Sequence, residues 1–148
     1  MTEEERTDEE FLRAFLECTL PEPEWTHRAH LRMAWLLLDT GSYAEVLPRV
    51  RAGIQRYNAS LEKDIAYHET ITQVFLRLIA HRIETGGRGE SFGAFCESNP
   101  DLVERGLGAL LRYYRVETLL SDAARAEFVE PDRERLPPVE GSKFKVEG

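Results

Sequence analysis

Trp25-Thr26-His27-Arg28-Ala29-His30-Leu31-Arg32-Met33-Ala34-Trp35-Leu36-Leu37-Leu38 is the stretch on which the fold turns. Thr26 is the residue type of a helix N-cap, and Leu31, Ala34, Trp35 and Leu38 return at helical spacing until Asp39-Thr40-Gly41 ends the run. Apolar side chains surround most of this helix, which predicts a central place for it in an all-α domain. Its uninterrupted apolar core, Met33 to Leu38, is far below the ~18 residues of a membrane span, so no membrane partner is expected.

Working outward, Thr7 or Asp8 caps an earlier helix with Glu9 and Glu10 in its first turn and Phe11, Leu12, Phe15 and Leu16 as its stripe. Pro21 and Pro23 stop it, since proline lacks a donor and biases its predecessor away from helix. Downstream, Val46, Val50 and Ile54 predict a helix from about Tyr43 to Tyr57. Ile71, Phe75, Leu78 and Ile79 predict another from about Ile65 to Ile83, closed by Gly86-Gly87-Arg88-Gly89. A short helix over Ser91 to Cys96, one carrying Leu102, Leu107, Leu110, Leu111 and Tyr114, and a last near Glu117 to Phe128 complete the list. The expectation is a single irregular helical bundle of six or seven helices. Residues 1–7 read as an acidic N-terminal arm and residues 137–148 as a C-terminal surface tail, in which Phe144 and Val146 have the alternation of an edge strand.

The 148 residues suit one domain, able to bury about two-thirds of the surface of the unfolded chain. Much of the net charge of −8 sits in the first ten residues, where six carboxylates face the single Arg6. Such acidity argues against a nucleic-acid partner, which calls for a basic footprint. Cys18 and Cys96 form no CxxC pair, and the acidic N-terminus lacks the basic and apolar regions of a secretory signal, so a cytoplasmic protein is expected.

Three of the four histidines lie in two short segments, Trp25-Thr26-His27-Arg28-Ala29-His30 and Tyr67-His68-Glu69-Thr70-Ile71-Thr72. His27 and His30 share one helical face, and His27 stands in the first turn, where the helix dipole disfavours an added proton. His68 shares the helical face of Thr72, Phe75 and Ile79, which points it toward the core. Convergence of the two segments would gather His27, His30 and His68 as ligands for a divalent transition metal, with His68 and Glu69 as an acid–base pair. Thr72 stands where an HExxH helix needs its second histidine, so the zinc-protease motif fails at its defining ligand. Only one ExxH, Glu24 to His27, is present where a di-iron bundle needs two, and no GxSxG elbow, phosphate loop or strand-borne GxGxxG occurs. Arg125, among small neighbours, is a candidate anion clamp for a substrate, or else an ion-pair partner of Glu69, Glu17 or Asp132.

The two histidine segments, together with Ala124-Arg125 through Pro131-Asp132, resemble those of a family of small, uncharacterised bacterial helical proteins, over a span from Phe11 to Pro137. The resemblance implies that the three segments act as one unit and supplies no substrate, cofactor or mechanism. Arg115 follows Tyr113-Tyr114 where that family often has serine. Two functions fit these residues. One is a small-molecule enzyme or binding protein with a histidine-lined pocket between the second and fourth helices. The other is a non-catalytic interaction or scaffold protein whose histidines fasten the bundle. A homodimer through an apolar helix face is compatible with both.

Overall fold

Helix α1 (Asp8–Leu16) begins where Thr7 accepts the Glu10 N–H and Glu10 reaches back to the Thr7 N–H, a reciprocal capping box. Thr26 caps α2 (His27–Leu37) through the Ala29 N–H, and Ser42 with Glu45 repeats the box at the start of α3 (Tyr43–Ser60). The computed structural model describes residues 2–63 and 65–140, so the edge strand expected at Phe144 and Val146 lies outside the described residues. Within them the chain is all-α: α4 (Glu69–Gly86), α5 (Phe92–Ser98), α6 (Pro100–Glu104), α7 (Val116–Leu119) and α8 (Asp122–Ala126) follow, with no strand.

The centre is shared. Helix α4 packs against α2, α3 and α8, while α2 also meets α1, α3 and α6. Val74, Leu76, Leu78 and Ile79 from α4 and Leu31, Met33 and Ala34 from α2 belong to one apolar core, joined by Phe11, Phe15 and Tyr57. Burial of that surface is the main force holding short helices that would be marginal alone.

Three expectations change in the helices. Helix α4 starts at Glu69, not near Ile65, because the His68 ring itself accepts the Ile71 N–H and caps the helix. The helix expected to carry Leu102 through Tyr114 breaks at Gly106, which adopts φ +54° and leads into a 3-10 turn, Gly106–Leu110. A left-handed φ is cheap only for glycine, so a helix cannot run through it unbroken. The last helix divides in two because Ser121 caps a fresh start at α8 by accepting the Ala124 N–H.

The termini differ as well. Residues 2–6 are no free arm, since Glu3–Glu5 form a 3-10 turn and Glu3 is buried against α2. Arg32 donates to the Glu3 carboxylate, the Glu3 and Arg6 carbonyls and Asp8, while Arg28 donates to both Glu3 oxygens. At the other end Leu136 and Val139 are buried, Arg77 donates to the Pro137 carbonyl, and the Glu140 N–H meets Glu84. Residues 136–140 therefore lie docked along α4, because two apolar anchors and a line of α4 donors and acceptors hold a segment whose prolines only prevent it from being helical.

Candidate functional site

Between α2, α3 and α4 lies a cavity of about 460 Å³. Its walls are made by the apolar faces that the helical spacing laid out: Leu31 and Ala34 from α2, Val50 and Ile54 from α3, Phe75 and Ile79 from α4. Gly106 and Leu107 stand at its edge, so the break at Gly106 is also what turns a half-exposed leucine toward the cavity. Among the described residues His27, His30 and Thr72 are the only polar side chains in the wall, and no Asp, Glu, Lys or Arg contributes to it.

The two α2 histidines hold different backbone carbonyls. His30 Nδ1 lies 2.7 Å from the Thr26 carbonyl one turn below, with its ring stacked on Trp25 at 3.8 Å between centroids. Trp25 in turn stacks on Phe15 at 4.7 Å, which fixes the indole against the core. Burial pushes the His30 imidazole down to about 4, outweighing its carbonyl bond, and His27 adds a smaller push in the same direction. His27 Nε2 lies 2.8 Å from the Leu102 carbonyl, and its ring meets Phe75 edge-on at 5.1 Å. The second nitrogens, His27 Nδ1 and His30 Nε2, take no protein hydrogen bond among the described residues and are not sealed into the core.

His68 is elsewhere. As the cap of α4 it lies one residue before the helix, so the predicted face of Thr72, Phe75 and Ile79 lines the cavity without it. Its Nδ1 accepts from Ile71 N–H at 3.1 Å and its Nε2 donates to the Leu119 carbonyl at 2.7 Å, which ties α4 to α7. Burial lowers its pKa, opposed by the Leu119 bond and assisted by the nearby Arg125 charge. With both nitrogens occupied, His68 has no lone pair for a metal. Among the described residues no three His, Cys, Asp or Glu side chains come together as a metal site would require, so the donor set His27, His30 and His68 does not fit one ion.

Glu69 does not pair with His68. Its carboxylate, 7% exposed, takes a bidentate fork from Arg51 at 2.9 and 2.6 Å, the Tyr67 hydroxyl at 2.8 Å and the Gln73 amide. Burial alone would raise its pKa, but the Arg51, Gln73 and Tyr67 hydrogen bonds overcome that and hold it at about 2. A carboxylate so fully engaged is a poor proton acceptor at neutral pH. Arg125 is exposed at the end of α8, and its side chain makes no hydrogen bond or ion pair among the described residues, so neither Glu69, Glu17 nor Asp132 is its partner. Asp132 instead accepts from the Arg115 N–H and the Thr118 hydroxyl.

Sequence reading missed Arg51, although both of the other Glu69 partners were within its reach. Gln73 stands at i+4 from Glu69 and Tyr67 at i−2, a local pattern that already marks a held carboxylate. Helix α4, which follows His68, contacts both α2 and α8. Helix α2 packs on one side of it and α8 on another, where the Thr70 hydroxyl donates to the Glu127 carbonyl and accepts the Val129 N–H. His81, the fourth histidine, is engaged with the Pro138 carbonyl of the docked tail. A second, more open cleft of about 540 Å³ is lined by Arg112, Arg115, Asp132, Arg133 and Glu134. Comparisons with family models, with curated proteins and with solved structures each give no match for this chain.

Proposed function

We propose that this protein binds a small molecule in the cavity between α2, α3 and α4. The observation that carries the reading is the His30 imidazole, kept neutral in an apolar wall with one ring nitrogen uncommitted. A ring nitrogen left without a protein partner beside a mainly apolar, open cavity gives a ligand one specific polar point to meet. The volume falls in the range of ligand pockets, and a mainly apolar lining with a few polar groups is their usual composition.

The reading is tested with ¹⁵N-labelled protein and a set of neutral, apolar fragments. Saturable amide shifts are expected at Ala34, Ile71, Phe75 and Leu107. Saturable shifts confined to another surface, such as the Arg112–Arg133 cleft, or no saturable shift at all, would overturn it.

The scaffold reading draws support from the second segment. His68 has both ring nitrogens bonded to backbone and Glu69 has its charge matched, as expected of groups that fasten helices. The two readings thus divide by segment: the ligand reading belongs to His27 and His30, the fastening role to His68 and Glu69.

A further inference from the structure

On the reading that this cavity is the binding site, we infer that its ligand is a neutral molecule that donates hydrogen bonds, an apolar body bearing a hydroxyl or N–H group. Molecules of the same shape whose polar atom can only accept are rejected.

A backbone carbonyl has lone pairs and no hydrogen, so a ring nitrogen bonded to one must carry the proton. Nδ1 of His30 bonds the Thr26 carbonyl and therefore carries it. A neutral imidazole has a single N–H, which leaves Nε2 as a bare lone pair. His27 is the mirror case, with the proton at Nε2 toward the Leu102 carbonyl and the lone pair of the neutral ring at Nδ1. Thr72 completes the set. Its hydroxyl donates to the His68 carbonyl at 2.8 Å, so toward the cavity its oxygen can only accept.

Every polar side chain of the wall consequently presents an acceptor, two from one face of α2 and one from α4. A ketone, an ether or a carboxylate would set lone pair against lone pair and leave its own desolvation uncompensated. A charged ligand meets no counter-charge from Asp, Glu, Lys or Arg, since none of these lines the wall among the described residues. An O–H or N–H group satisfies the site and itself at once. Sites built to bond a donor discriminate strongly against analogues that lack it.

Indole and 1-benzofuran make the test, because they share a bicyclic outline and differ by an N–H against an ether oxygen. Uniformly ¹⁵N-labelled protein, in which the histidine ring nitrogens and the backbone amides both report, is titrated with each at neutral pH. Indole should bind at least about tenfold more tightly, shift Ile71, Phe75 and Leu107, and move the His30 Nε2 signal upfield as that nitrogen accepts a hydrogen bond. His30→Phe keeps a ring on Trp25 and should bring the indole-to-benzofuran ratio down several-fold. Should that variant fail to fold, Thr72→Val replaces it, with a smaller loss of the same preference expected. Equal binding of both probes in the cavity would overturn the donor inference and leave the pocket reading standing. Shifts at none of the cavity residues with either probe would overturn both. ZnCl₂ alone, added at one equivalent and blocking indole, would make the two lone pairs metal ligands and overturn the inference as well.

Discussion

The two histidine segments use the same side chain in opposite ways. On α2, each imidazole gives one nitrogen to a backbone carbonyl and keeps the other at the edge of an apolar cavity. At the start of α4, His68 spends both, one on the α4 cap and one on Leu119, and Glu69 beside it is surrounded by donors. Both places set a histidine at a helix start within two residues of an aromatic side chain. What separates them is how many hydrogen-bonding positions remain after the backbone has been served, and this decides which segment can still meet a ligand.

The comparison is strained most by removing the carboxylate. Glu69→Ala leaves the Arg51 guanidinium beside α4 without its charge partner, and the Tyr67 hydroxyl and Gln73 amide without an acceptor. Losing one member of a half-buried, bidentate pair is expected to cost about 3 kcal/mol in urea unfolding. Indole binding at the cavity should stay within about threefold of wild type, because Glu69 lines no part of it. Unchanged stability with lost binding would reverse the roles of the two segments.

His68→Ala sharpens the same contrast at a smaller cost. It removes a helix cap and strands the Leu119 carbonyl and the Ile71 N–H, which together predict a loss of about 2 kcal/mol. The unfolding free energy should fall while the affinity for indole holds. His30→Phe should do the reverse, retaining most of the stability through the Trp25 stack and losing the indole preference. A His68→Ala protein that is fully stable and no longer binds would mean that the second segment, not the first, faces the ligand.

Much of the bundle was readable because caps and periodicity are local. Thr7 and Thr26 act within four residues, and the stripes of Val46, Val50 and Ile54 or Ile71, Phe75 and Ile79 need only helical geometry. The failures came where a long-range partner decided. His68 was placed on the α4 face by spacing, yet a ring nitrogen that caps the helix cannot also stand within it. The acidic start of the chain looked like a solvated arm because its arginine partners, Arg28 and Arg32, lie some 25 residues on. The cavity itself was half legible. Its two α2 histidines followed from i,i+3 spacing, whereas its freedom from charge depends on three helices packing with their apolar faces together.

The smallest expected effect is in acid. The folded pKa of His30 is about 4 against an ordinary 6.5, and that of His68 is lowered too, so as pH falls the unfolded chain takes up these protons first. Stability rises with pH where the unfolded state binds more protons, which means the contribution is complete above about pH 6.5 and is lost on going down toward pH 4. His30 retains some contact with solvent and faces only Trp25, the Thr26 carbonyl and His27, so the loss expected between pH 7 and pH 4.5 is about 1–2 kcal/mol. Glu69 does not blur this window, because a carboxylate held at about 2 gives up its share only as pH falls from about 4.5 toward 2. Urea unfolding at pH 7, 6, 5 and 4.5 measures the slope. His30→Phe should remove the greater part of it, and His68 should account for most of what persists. A slope unchanged in His30→Phe would mean that this ring does not exchange a proton on folding, and the bare nitrogen at the cavity would lose its basis.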